Sequence, residues 1–184
     1  MNKKELNTII YYAVSSLHVE NAKILFENTN YKIIILFEKE LNIINPSYFS
    51  KSNFEFVHFT KNLVPTYIWK KNIICAIFST TQLRKSPLNL IISAKKNNIT
   101  SIAIEEVHQM LLHENRINNY LLPVDYFMIT SNYEKNSFIN LGYDKKKLYV
   151  TGWPFQSRKK FSSKKLIQIN RQKIKILVFF LLPI

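Results

Sequence analysis

The densest grouping of side chains able to move a proton is Glu105, Glu106 and His108, in the run S-I-A-I-E-E-V-H-Q from Ser101 to Gln109. Imidazole titrates near neutral pH, so His108 suits a general base or a phosphate and sugar contact; a loop histidine bonded to backbone is the alternative. A neighbouring carboxylate can orient His108 or deprotonate an acceptor hydroxyl, and a solvated acidic loop competes with that reading. Adjacent side chains on an extended segment point to opposite faces, so at most one of Glu105 and Glu106 acts with His108. Ser131 and Glu134 have the S-x-x-E spacing of a capping box, with sugar contact as the alternative. Arg84 and Lys85 either receive an anionic acceptor or stand as a solvated pair. His58 and His113 have no placement that favours function. No set of His, Cys and carboxylate residues shows metal-ligand spacing, so neither a metal nor a cofactor is expected.

The elements that must position these groups follow from hydrophobic patterning. Thr8 to Val14 is a short β-rich apolar run, followed by Ser15, Ser16 and a helical spacing of Val19, Ala22, Leu25 and Phe26. Further strands are expected at Tyr31 to Phe37, Phe54 to Phe59, Ile73 to Phe78, Thr100 to Ile104, Asp125 to Thr130 and Lys147 to Val150. A helix over Leu88 to Lys96 opens with Ser86 as cap and Pro87 at its first position, and another runs from the Ser131 cap to Leu141, where Gly142 ends it. Near-continuous apolar strands alternating with helices predict an α/β, Rossmann-like parallel sheet with helices on both faces. His108 then follows a strand at its carboxyl end, where open parallel sheets place their ligands.

Composition narrows the function classes. Of 184 residues, 47% are hydrophobic and 14% aromatic, enough for the core of one ordinary domain. The formal charge of +14 suggests an anionic partner, although Ile, Lys and Asn supply 67 residues, a bias expected of an AT-rich genome. With Gly142 and Gly152 as the two glycines, neither a G-x-G-x-x-G dinucleotide loop nor a Walker A loop can be written into this chain. The single Cys75 excludes a disulfide framework, and the start M-N-K-K-E-L-N lacks the pattern of a signal peptide, so a cytoplasmic setting is expected. The longest apolar run, Ile176 to Ile184, is half the roughly 18 residues of a membrane span.

From Gln156 to Lys175 there are eight basic residues and no acid, against 18 basic and 12 acidic residues over 1–155. Residues 156–184 therefore read as a basic linker running into an apolar strand, Ile174 to Leu182. An uncovered strand of this type is an aggregation liability, so it is expected to be the first strand of a second domain. The cluster Arg158, Lys159, Lys160, Lys164 and Lys165 suits an anionic membrane surface. Nucleic acid is not expected, since Phe161 is the sole aromatic interrupting the run.

Three segments in order, Ser101 to Gln109, V-D-Y-F-M-I-T-S-N-Y-E (Val124 to Glu134) and L-G-Y-D-K-K-K-L-Y-V-T-G-W-P-F (Leu141 to Phe155), carry a resemblance. This part of the chain resembles the end of the N-terminal domain of GT-B-fold glycosyltransferases and their relatives, including CDP-glycerol glycerophosphotransferases and non-hydrolysing UDP-N-acetylglucosamine 2-epimerases. Relatives tend to carry His-Gly after the first of these strands, and here Gln109 stands at the glycine position. The resemblance implies that residues 1–155 form the acceptor-side half of a GT-B fold, with His108, Glu106 and Glu105 as catalytic candidates. It also implies acceptor contacts from His18 after the first strand, and an interdomain turn at Thr151, Gly152, Trp153 and Pro154. Arg84, Ser131, Glu134, Gly152 and Trp153 complete the expected substrate-binding set.

The expected function is the acceptor-side domain of a nucleotide-sugar or CDP-glycerol dependent transferase in bacterial surface-glycan synthesis, acting on a glycan or lipid-linked acceptor. In such enzymes the donor is held mainly by the C-terminal domain, so this chain alone is expected to be inactive. It would work in the cytoplasm, peripherally at the inner face of the membrane. A UDP-sugar 2-epimerase relative and a non-catalytic basic binding module are the alternatives.

Overall fold

The computed structural model describes residues 7–13, 15–26, 28–38, 53–59, 68–69, 72–79, 85–105 and 123–152. Seven strands form one sheet: β1 (Thr8–Ala13), β2 (Lys32–Glu38), β3 (Phe54–Phe59), β4 (Ile73–Ser79), β5 (Thr100–Ile104), β6 (Tyr126–Ile129) and β7 (Leu148–Val150). Every neighbouring pair is parallel, in the order β3-β2-β1-β4-β5-β6-β7. Parallel strands need crossovers, and three described helices lie in them: α1 (Ser16–Phe26), α2 (Lys85–Lys96) and α3 (Asn132–Asn140).

The central strands are apolar on both faces because both faces are covered. In β1, Ile10 and Tyr12 join Ile34, Leu36 and Phe78 beneath Leu90 and Ile91 of α2 and Phe138 of α3. On the opposite face, Ile9 and Tyr11 join Ile33, Ile35 and Ile77 beneath Val19, Ala22 and Phe26 of α1. Alternation along each strand thus feeds two cores, and each fully buried Ile, Leu or Phe contributes about 1.5–3 kcal/mol. The expected α/β parallel sheet with helices on both faces is what forms.

Two element starts differ from the sequence reading. The helix α2 starts at Lys85 and takes Ser86 and Pro87 into its first turn, where a missing N–H costs nothing because first-turn donors lack intrahelical acceptors. The strand β7 starts at Leu148 because Lys145–Lys147 form a 3-10 turn. Asp144 Oδ1 accepts the Lys146 N–H at 2.9 Å there, and Asp144 O accepts the Lys147 N–H at 2.9 Å.

Two helices end in the same way with different residues. After α3, Gly142 takes φ 97° while its N–H donates to Ile139 O and the Tyr143 N–H donates to Phe138 O. After α2, Asn98 takes φ 56° while its N–H donates to Lys95 O and the Ile99 N–H donates to Ala94 O. Both are Schellman ends, which need a left-handed residue. In a glycine-poor chain an asparagine fills one of them. Gly142→Ala is expected to lower stability by about 1–2 kcal/mol, and Asn98→Gly to raise it by some tenths of a kcal/mol. Urea denaturation checks both; a gain from Gly142→Ala would contradict the assignment.

Candidate ligand site at the carboxyl edge of the sheet

Because all strands are parallel, the residues that follow them meet along one edge. The strand order reverses between β1 and β4, and open α/β sheets bind ligands outside the carboxyl ends at such a switch. His18 lies there, in the first turn of α1. Its N–H donates to Ser15 Oγ at 3.4 Å and the Val19 N–H donates to Ser15 O at 3.4 Å, so Ser15 serves the free donors at the helix start. The His18 side chain is only 3% exposed.

Glu105 follows β5. Its N–H donates to Met128 O at 2.9 Å, carrying the ladder with β6 one residue beyond the strand. The residue is 2% exposed and the protein encloses both carboxylate oxygens, so it does not stand in a solvated acidic loop. Enclosing a carboxylate carries a large desolvation cost.

At the end of β6 the chain turns through Thr130 and Ser131 into α3. Ser131 Oγ accepts the Glu134 N–H at 3.2 Å, as the S-x-x-E spacing predicts. The Glu134 carboxylate, however, reaches past Ser131 to Thr130. It accepts the Thr130 N–H at 2.9 Å and a short bond from the Thr130 hydroxyl. Glu134 is fully buried, and its charge sits at the positive end of the α3 dipole. This carboxylate therefore occupies the position an outside anion would take. Ser131 and Glu134 hold the turn together, and Glu134 has no surface to offer a sugar. Glu134→Ala is expected to cost about 2–3 kcal/mol, since it strips two donors of a charged acceptor, and Glu134→Gln less. Chemical denaturation of both variants reads this; an unchanged midpoint for Glu134→Ala would refute the role.

At the end of β7, the Thr151 N–H donates to Ile129 O at 2.9 Å and ties the two strand ends together. The Thr151 hydroxyl lies within reach of Ile129 O at 3.4 Å and Gly152 O at 3.2 Å. Gly152 follows at φ 75°, a conformation that a Cβ would strain. The edge thus brings together His18, Glu105, Ser131, Glu134 and Gly152. Glu106, His108, Arg84 and Trp153 lie outside the described residues, as do the basic cluster Arg158, Lys159, Lys160, Lys164 and Lys165 and the division at residue 155.

One acidic residue of the resembling segments goes to the other end of the molecule. Asp125 Oδ2 accepts the Ser101 N–H and hydroxyl at 2.9 Å each, and the Asp125 N–H donates to Ser101 Oγ at 3.0 Å. This pair clamps the starts of β5 and β6, at the amino edge. Thr130 is the residue sequence reasoning passed over; its partner was visible four places on, but not the direction in which that partner turns. Among the described residues, no group of three His, Cys, Asp or Glu side chains is arranged to hold a metal ion, and no helix is long and apolar enough to cross a membrane.

Comparison with solved structures gives matches that share this fold. The lipopolysaccharide outer core galactosyltransferase WaaB, in its apo form, aligns with a TM-score of 0.54 at 12% identity, over 79% of this chain and 45% of its own. Anabaena HepE, in complex with UDP and glucose, aligns with a TM-score of 0.55 at 9% identity, over 78% of this chain and 44% of its own. The UDP-N-acetylglucosamine 2-epimerase from Rickettsia bellii aligns with a TM-score of 0.53 at 10% identity, over 80% of this chain and 45% of its own. The fold is that of a GT-B N-terminal domain. The chain spans less than half the length of each of these structures, and at such identities the GT-B likeness is one of fold. No protein-family model and no curated protein matches the sequence.

Proposed function

We propose that this chain is the acceptor-side domain of a nucleotide-sugar or CDP-glycerol dependent transferase in bacterial surface-glycan synthesis, without turnover on its own. The observation that supports it most is the alignment of four-fifths of the chain with under half of a galactosyltransferase and of a protein holding UDP and glucose. In this reading the carboxyl edge receives a glycan or lipid-linked acceptor. His108 acts as general base, Glu105 or Glu106 orients it, and His18, Arg84, Gly152 and Trp153 contact the acceptor. The domain spans 1–155, and residues 156–184 lead toward a second α/β half that would hold the donor. The setting is the cytoplasmic face of the membrane. A basic module that binds without catalysis is distinguished by His108→Ala having no effect on any activity of a longer form.

The test is turnover of UDP-glucose, UDP-galactose and CDP-glycerol by the 184-residue chain, and by a longer natural form if the gene encodes one. No turnover by the chain and transfer by the longer form is the expected result. Transfer by the chain unaided would overturn the need for a second half. The likeness to the Rickettsia bellii epimerase favours one other reading, a UDP-sugar 2-epimerase relative. Isomerisation of UDP-N-acetylglucosamine without any acceptor would select it.

A further inference from the structure

Among the described residues, the two helical layers differ in charge. On the outer side of α1, Glu20 is exposed and Lys23 half-buried, so the described charges balance. On the other layer, Lys95 and Lys96 end α2 and Lys145, Lys146 and Lys147 form the 3-10 turn before β7; all five are exposed. None of the five is held in an ion pair among the described residues. The nearby exposed acid is Asp144, whose carboxylate accepts the Lys146 N–H, while Asp125 is bound to Ser101.

Topology places the two lysine groups together. Three residues join Lys96 to the start of β5, and Lys147 abuts the start of β7, with β6 alone between those strands. Two strand spacings of about 4.8 Å lie between them, and the register sets Leu148 level with Ala103, three residues along β5 from Thr100, so the two starts are roughly 14 Å apart toward the amino edge of the sheet. The outer stripe of α2 adds an apolar side chain to this patch. Ile92 is 40% exposed and lies three and four residues before Lys95 and Lys96, on the same side of the helix.

We propose that this lysine edge, with Ile92, docks the domain on a bilayer surface carrying acidic headgroups. The charge complementarity is to a diffuse anionic surface. Among the described residues the patch is built of lysines, hydrated point charges on flexible stems, with no arginine fork or exposed aromatic for reading a nucleic acid. Ile92 adds an apolar contact that a headgroup boundary can accept. The proposal is independent of the transferase reading and of the basic stretch beyond residue 155.

The experiment is co-sedimentation of the full chain with phosphatidylcholine vesicles and with vesicles in which a third of the lipid is phosphatidylglycerol, at low and at physiological salt. Binding is expected to the acidic vesicles only and to weaken with salt. Neutralising Lys95, Lys96, Lys145, Lys146 and Lys147 to glutamine should lower affinity by about 3000-fold, at roughly 5-fold for each lysine. Ile92→Ser should weaken binding at both salt concentrations. Neutralising Arg158, Lys159, Lys160, Lys164 and Lys165 instead should leave most of the binding in place. The proposal is overturned if the chain ignores acidic vesicles, or if the five-lysine variant, with unchanged circular dichroism and melting, binds as the parent does. It is equally overturned if a single-stranded RNA 20-mer binds the patch more tightly than the vesicles under the same salt.

Discussion

Phe138→Ala is expected to cost about 3–5 kcal/mol, enough to remove a large part of the stability of a domain this size. Phe138 has no exposed surface. Its ring meets Phe127 of β6 edge-on at a centroid distance of 4.9 Å and Tyr143 at 5.3 Å, with Phe127 and Tyr143 stacked 5.9 Å apart. These three rings are the contact through which α3 rests on β6 and on the turn before β7. Truncation removes the burial of one aromatic, leaves a cavity between two rigid rings, and forfeits two edge contacts of about 0.5–1.5 kcal/mol each. The functional consequence lies one turn away, because α3 carries the Ser131 and Glu134 cap that shapes the β6 end of the carboxyl edge. Phe138→Leu should cost clearly less, since much of the volume is kept. Urea titration with tryptophan fluorescence reads both, and equal midpoints for Phe138→Ala and the parent would show that α3 is not held in this way.

Cys75 gives the second large effect. It lies in the middle of the sheet, in β4, fully enclosed, and burial pushes its thiol up from 9.0 to about 12. The thiolate is the nucleophile, so a disulfide reagent at pH 8 should label native protein at least ~1000-fold more slowly than urea-unfolded protein. Fast labelling of the native chain would place Cys75 outside the core. The same shift has a sign for stability. Above pH 9 the unfolded chain releases the thiol proton while the folded chain keeps it, so the unfolded state binds fewer protons and stability falls with rising pH. The contribution is complete below about pH 9 and is lost progressively toward pH 12. Tyr149 acts in the same direction, its hydroxyl raised first by burial and then by Tyr126 beside it. Cys75→Ala should flatten the alkaline limb of a stability profile, and Tyr149→Phe should remove the tyrosine share.

Much of the architecture was legible because the central strands are buried on both faces and read as continuous apolar runs. Phe54–Phe59 and Thr100–Ile104 are found at the boundaries their patterns predict, and the Ser131 cap begins its helix as its spacing requires. Where the reading stopped short, a side chain turned to a partner that local patterning does not mark. Asp125 leaves the β6 strand to hold Ser101, 24 residues away, and Glu134 turns back to Thr130 in place of its own cap. The left-handed Asn98 carries no local mark either. It is recognisable once the Ile99 N–H is seen to close on Ala94.

The sequence by itself determined the class of this protein: an α/β chain without the glycines of a phosphate loop, with one thiol and a heavy excess of lysine. Those properties are local or additive, and periodicity and composition record them directly. Only the tertiary structure decided the strand order, and with it that His18, Glu105, Thr130 and Gly152 share one edge while Asp125 and the lysines occupy the other. Order and pairing depend on which faces bury one another across many residues, and a hydrophobic run states that it is buried without stating against what.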